Sequence, residues 1–199
     1  DEETAREMVK IFLEVVVAPA FTEAALQVFA AKKNIRLLEL APDKFGADHL
    51  DLKKVAGGLL LQTMDREPVG RAGSRVVTER APTEEEWRQL IFAQKVVKHV
   101  KSNAIVIARE GRTVGIGAGQ MSRIAAAKIA LAQAGEKAAG AVLGSDAFFP
   151  FPDTVEAAAA AGVTAIIQPG GSLQDEASIA ACNRFGLAMV FTNRRYFKH

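Results

Sequence analysis

The sequence predicts an α/β fold in which a mainly parallel, mixed sheet is covered by helices on both faces. Three features carry that expectation. Beyond Thr83, short apolar runs alternate with amphipathic stretches. Those stretches open at Ser, Thr or Asp and close at Gly, as helices do. Strand and helix in strict alternation imply right-handed crossovers, and therefore parallel neighbours.

Taken in order, residues 4–12 place Ala5, Met8, Val9 and Phe12 at helical spacing, and Val15, Val16 and Val17 form a β-branched run stopped before Pro19. Thr22 opens a second amphipathic helix through Ala24, Ala25, Leu26, Val28 and Phe29. Residues 35–40 form a strand that Pro42 ends, and residues 57–62 form another. Residues 65–80 carry Pro68, Gly70 and Gly73 among charged side chains without a period, so the boundary between a first region, 1–70, and a second, 71–199, falls there. Thr83 with Glu86 is a capping box for a helix whose apolar face holds Trp87, Leu90, Ile91 and Val97. Residues 104–108 and 114–118, joined by Glu110-Gly111, read as a hairpin buried on both faces. A helix over 122–133 precedes a strand at 141–143; Asp153 caps a helix ended by Gly162; 164–168 is a strand. Ser172 with Asp175 caps the last helix, ended by Gly186, and 187–191 is the last strand. Ligands of such sheets sit beyond the carboxyl ends of the strands, which here lead into 144–153, 169–172 and 192–199.

Composition narrows the function classes. With 49% hydrophobic and 24% charged residues the chain can bury a core, and 25 basic against 23 acidic residues without a like-charge block argue against a nucleic-acid partner. Its apolar runs are far short of the ~20 residues of a membrane helix. One cysteine, Cys182, forms neither an internal disulfide nor a CxxC knuckle, so cytoplasm is the expected compartment. A chain opening on Asp1 is expected to be a piece of a longer protein.

The candidate chemistry lies in the loops. Gly115-Ile116-Gly117-Ala118-Gly119-Gln120-Met121-Ser122-Arg123 is a glycine-rich turn from strand to helix, neither a Rossmann fingerprint nor a Walker loop. Its glycines serve either close strand-on-helix packing or an anion, and Arg123 tilts towards function: a cation at the positive end of a helix calls for an anion or carboxylate. Ser145-Asp146-Ala147-Phe148-Phe149-Pro150-Phe151-Pro152-Asp153 is either a hydrophobic plug over the sheet end or a wall for a flat aromatic ligand. The tail Thr192-Asn193-Arg194-Arg195-Tyr196-Phe197-Lys198-His199 is either solvated or grips a phosphate or carboxylate through arginine. Lys98-His99 closes a helix, where basic residues favour the dipole, and His49 beside Asp48 and Asp51 lacks a third metal ligand, so no metal site is expected.

Together with Val97-Lys98-His99-Val100-Lys101-Ser102-Asn103-Ala104, Gln168-Pro169-Gly170-Gly171-Ser172 and Glu14-Val15-Val16-Val17-Ala18-Pro19, these segments resemble the AICAR transformylase part of the bifunctional purine-biosynthesis enzymes that also carry IMP cyclohydrolase. The resemblance spans nearly the whole chain and is to the C-terminal portion of those enzymes. It implies two cytidine-deaminase-like subdomains, of which 1–70 completes the first and 71–199 is the second. The implied reaction transfers formyl from 10-formyltetrahydrofolate, the cosubstrate, to the 5-amino group of AICAR. The resemblance implies catalytic roles for Asn103 and Arg123, nucleotide contact for Glu14, a folate-side wall from Phe148 and Pro150, a folate contact from Asp153, and nucleotide contact from Arg195 across a homodimer interface that Tyr196 and Phe197 would anchor. A monovalent cation near Ser102 and Asp146 is a further candidate. The chain departs from the family in lacking its K-H-x-N-P-C-G motif, so alone it is expected to be inactive. The alternative is a non-catalytic nucleotide- or folate-binding or dimerisation domain. A zinc deaminase is disfavoured, since H-x-E and P-C-x-x-C are absent.

Overall fold

The computed structural model describes residues 1–41 and 50–198, so Pro42, Asp48 and His49 lie outside the described residues. The chain divides into two compact units, Asp1–Arg66 and Glu67–His199.

In the first unit, α1 (Glu2–Met8) and α2 (Glu23–Ala30) accompany a parallel pair, β1 (Val15–Ala18) and β2 (Arg36–Glu39). Thr22 caps α2 as expected, its hydroxyl accepting from the Ala25 amide at 3.2 Å. Ala5, Val16, Ala25 and Phe29 form a small core in which Phe21 meets Phe29 edge-on, centroids 6.1 Å apart. The apolar stretch at 57–62 is β4 (Gly58–Thr63), and it pairs antiparallel with β3 (Leu50–Val55) across a turn with Gly57 at φ +82°. That partner strand was not expected. Both strands are exposed along their whole length, so neither carries the one-sided alternation that marks a half-buried strand.

The second unit holds a six-stranded sheet in the order β5-β10-β9-β8-β6-β7. The strands are β5 (Arg75–Val76), β6 (Ile105–Arg109), β7 (Arg112–Gly117), β8 (Val142–Ser145), β9 (Ala165–Gln168) and β10 (Ala188–Phe191). Parallel pairing is confined to β8, β9 and β10; β5, β6 and β7 join antiparallel, which makes the sheet mixed. Alternate residues serve opposite faces. Ile105, Ile107, Leu143, Ile166 and Met189 meet α4 (Arg123–Ala134), α5 (Asp153–Ala160) and α6 (Asp175–Phe185). Val106, Val142, Ile167 and Val190 meet Trp87, Leu90, Ala93 and Val97 of α3 (Glu84–Val97). Burial on both faces explains why these strands read as unbroken apolar runs. The edge strand β7 is the exception, since its first half is exposed and the hairpin is buried on both faces only along β6.

Caps follow the sequence unevenly. The Thr83–Glu86 capping box forms, and Gly186 ends α6 at φ +70°. Asp153 is not the cap of α5: Pro152 holds that position, and Asp153, in the first turn, accepts from the Thr154 amide at 2.7 Å. Ser172 lies too early to cap α6; its hydroxyl accepts from Gln174, while Asp175 accepts from Gly171. Cys182 is buried under α6, and burial pushes its thiol up to about 12. Among the described residues no helix is long and apolar enough to cross a membrane.

Two contacts set the sheet's spacing to its helices. A Cβ on Gly115 would stand 1.9 Å from the Ala130 carbonyl oxygen, and one on Gly117 1.9 Å from that of Ala126. The strand therefore lies directly on the backbone of α4. Arg80 ties the opposite edge, donating to Gly186 O at 2.8 Å, to the Thr164 carbonyl and, with two nitrogens, to the Glu86 carboxylate at 2.8 and 2.9 Å. Burial pushes the Glu86 carboxyl up, but the Arg80 hydrogen bonds and the Thr83 amide outweigh it and hold it at about 2.

Gly117→Ala is expected to destabilise the chain by about 3 kcal/mol in denaturant titration, and Ala126→Gly should not rescue it, because the obstructing atom is backbone. Glu86 titrates below its ordinary 4.5, so its stabilising contribution is complete above that pH and is lost as pH falls towards about 2. Thermal unfolding across this acid range should show a flatter pH dependence for Arg80→Met than for the parent.

Candidate functional site

Strand directions gather the site at one edge. The carboxyl ends of β8, β9 and β10 point the same way, and β6 runs against them with Ile105 opposite Ser145. The residues that enter β6, Ser102 to Ala104, therefore stand beside Asp146. With Gly117 opposite Ile105, β7 delivers the turn into α4 to the same place, where Ser122 caps the helix and Arg123 is its first residue.

Asp146 is fully buried at the centre of this group. One carboxylate oxygen accepts from the Ala104 amide at 3.1 Å and from the Arg123 guanidinium; the other accepts from the Ser102 hydroxyl at 2.5 Å. Arg123, 4% exposed, also donates to Ala104 O and to Asn103 Oδ1, both at 2.9 Å. Burial pulls its pKa down and the Asp146 charge opposes that. Asn103 donates from Nδ2 to Gln120 O at 2.7 Å, so both ends of its amide are held while the second N–H meets no acceptor among the described residues. Arg123 is thus buried and holds the Asn103 amide oxygen. The carboxylate sought by a cation at a helix N-terminus is Asp146, and Gly115 and Gly117 serve packing.

The tail crosses the same group. The Tyr196 amide donates to Asp146 O at 2.8 Å, the Ser102 amide to Lys198 O at 2.9 Å, and the Lys198 amide to Ser102 Oγ at 3.1 Å. Of the two aromatics expected to anchor the tail, Tyr196 is buried in its own chain and Phe197 is 56% exposed. Arg195 stands exposed, its guanidinium 5.0 Å from the centroid of Phe148. The phenylalanine run divides: Phe149 is wholly buried as a plug, Phe151 is 60% exposed, and Phe148 is half-buried. Phe148, Pro150 and Phe151 face Gly171, Ser172 and Leu173 across a groove of about 380 Å³. Asp153 begins the helix behind it.

Glu14 is exposed in the first unit, its carbonyl accepting from the Arg36 amide at 2.9 Å. Lys98 closes α3 and donates to Glu67 O at 3.0 Å, and the His99 amide returns to Val96 O. Among the described residues no three His, Cys, Asp or Glu side chains are grouped to hold a metal ion. Where a monovalent cation was expected near Ser102 and Asp146, the Asp146 carboxylate accepts from Arg123, Ser102 and Ala104. Asp146 is the residue sequence reading undervalued; its one legible clue was the demand Arg123 makes for a counter-charge.

Removing one partner of a buried ion pair costs roughly 3–5 kcal/mol. Arg123→Ala should therefore lower unfolding free energy by about that amount. In a double-mutant cycle of Arg123→Ala, Asp146→Asn and the two together, the double variant should lose less than the sum of the two single variants.

The family model described as "AICARFT/IMPCHase bienzyme" matches residues 1–133. The bifunctional purine biosynthesis proteins PurH of Anoxybacillus flavithermus, Acetivibrio thermocellus and Bacillus subtilis are 60%, 57% and 56% identical to this chain, covering 100% of it and 39% of each relative. The chain thus spans about two fifths of the length of the curated relatives it matches. Among solved structures, Acinetobacter baumannii RibD in form 2 matches 51% of this chain and 32% of that chain at 20% identity and a TM-score of 0.37, a likeness that carries no argument, so the fold class stands on the sheet itself. With 133 of 199 residues inside the family model and the full length shared with close relatives, the chain belongs to the AICARFT/IMPCHase bienzyme family.

Proposed function

We propose that this chain is part of the formyl-transferring portion of such a bienzyme and serves purine biosynthesis in the cytoplasm. The formyl group of 10-formyltetrahydrofolate passes to the 5-amino group of AICAR. On this reading residues 1–70 complete a first cytidine-deaminase-like subdomain, 71–199 form the second, and the sites lie across a homodimer interface. The observation that carries the proposal is the conjunction, at one sheet edge, of an amide fixed by a buried cation and an open aromatic groove topped by an arginine.

The chemistry suits those parts. The amine nitrogen bonds to the formyl carbon, negative charge grows on the formyl oxygen, and the bond to folate N10 then breaks as N10 takes a proton. The second N–H of Asn103, held on Arg123 and Gln120, is a preorganised donor for that oxygen or for the nucleotide that delivers the amine. Arg123 keeps the donor in place and adds positive potential without touching substrate. Phe148 and Pro150 offer apolar surface to the folate, Asp153 lies behind them, and Arg195 offers a charge-assisted hydrogen bond to the nucleotide. For Glu14 the nucleotide contact rests on the family resemblance alone. The amine must also lose a proton, and this chain lacks the K-H-x-N-P-C-G motif, so the base belongs to another part of the parent protein.

In the full-length protein, Asn103→Ala and Arg195→Ala should each lower formyl-transfer turnover at least tenfold, or about 1.4 kcal/mol of transition-state stabilisation, with the cyclohydrolase rate unchanged. Loss of cyclohydrolase activity with formyl transfer intact would assign the chain to the other half of the bienzyme. Weakened binding of nucleotide or folate with both activities intact would leave a binding domain.

A further inference from the structure

Between the glycine-rich turn and the tail lies one short segment, Lys101 to Asn103, that is hydrogen-bonded to both. The Gly119 amide donates to Lys101 O at 2.7 Å and the Asn103 amide to Gln120 O at 3.2 Å, whereas the Ser102 amide donates to Lys198 O at 2.9 Å. This segment therefore joins the amide of Asn103 to the stretch of chain that carries Arg195.

The Ser102 hydroxyl links the buried charge to that stretch. Its single proton goes to the Asp146 carboxylate at 2.5 Å, which leaves the oxygen lone pairs to accept, and the Lys198 amide donates to them at 3.1 Å. A hydroxyl that donates to a carboxylate is polarised by it and becomes the better acceptor. With amide and hydroxyl together, Ser102 grips both main-chain groups of Lys198. That grip matters because the last residues of a chain fray unless tied down. Arg195 is exposed and its guanidinium rests on the Phe148 ring, so its place depends on the backbone that presents it. Upstream, the Thr192 amide donates to Gln168 O at 3.0 Å and the Asn193 amide to Pro169 O at 2.9 Å. Downstream, the Tyr196 amide on Asp146 O is followed by the Ser102 grip, which closes the tail against fraying from its end.

We propose that Ser102 is a positioning residue for Arg195: its hydroxyl passes the fixed place of Asp146 on to the tail and keeps the arginine beside Phe148. The role rests on the functional reading above, in which Arg195 meets the nucleotide. Alanine at position 102 takes one donor from Asp146 and the acceptor from the Lys198 amide, whereas threonine keeps both. Once the grip is lost, fraying spreads from the chain end towards Arg195, and the guanidinium spends less time where its ligand binds.

The full-length protein provides the test. Ser102→Ala should lower formyl-transfer turnover about fivefold or more, and Ser102→Thr should stay within about twofold of the parent. In an Arg195→Ala background, where the positioned group is gone, Ser102→Ala should cost less than about twofold more. Hydrogen–deuterium exchange of the peptide containing Tyr196 and Lys198 should quicken about tenfold in Ser102→Ala and not in Ser102→Thr. A chain ending at Tyr196 lacks Lys198 but keeps the bond between Ser102 and Asp146. It should match Ser102→Ala in turnover, which keeps the test decisive should that variant fail to fold. With Arg195→Ala impaired, losses that multiply in the double variant, tail exchange unchanged by Ser102→Ala, or full turnover in the shortened chain overturns this role alone. Full turnover of Arg195→Ala overturns the functional reading, and this role with it.

Discussion

A single buried carboxylate organises the functional edge of this protein. Asp146 has no access to water, so its charge is tolerable only while Arg123, Ser102 and the Ala104 amide surround it. Each of those partners belongs to a different segment. Arg123 is the first residue of α4, where a cation opposes the helix dipole; Ser102 and Ala104 lead into β6; and the Asp146 carbonyl receives the tail through Tyr196. One charge therefore sets the start of a strand, the start of a helix and the path of the chain end, and the amide of Asn103 inherits its orientation from all three.

Elements whose signals are local were legible. Thr83 and Glu86 satisfy each other's backbone within one turn, the Thr22 hydroxyl caps the Ala25 amide of α2, and Gly186 supplies the left-handed residue that closes α6. Signals failed where a competing local geometry intervened. Pro152, already helical in backbone, displaces Asp153 by one position, and Ser172 spends its hydroxyl on a turn ahead of α6. The strand β3, partner of the expected β4, escaped because it is exposed along its whole length. The two residues of β5 were too few to show any period, and their register is set by β10, more than a hundred residues on.

The same division runs through the site. That Arg123 needed a counter-charge followed from helix electrostatics alone, but which carboxylate would answer depended on β6 bringing two strands edge to edge, which no spacing in the sequence encodes. The phenylalanine run was ambiguous between plug and wall because its rings divide, with Phe149 wholly buried and Phe151 60% exposed. The glycine-rich turn was ambiguous for a different reason. Its first two glycines answer to the backbone of α4, and the turn's link to the buried carboxylate is Arg123.

The tail meets the site through main-chain atoms: the Tyr196 amide, the Lys198 amide and the Lys198 carbonyl make its hydrogen bonds to Asp146 and Ser102. Recognition of this kind ignores side-chain identity and depends on whether the nitrogen carries a hydrogen. Position 198 is accordingly free to drift among residues of any charge or size, with one exception. Proline, the only residue without that hydrogen, would cut the strap at the point where it crosses Ser102.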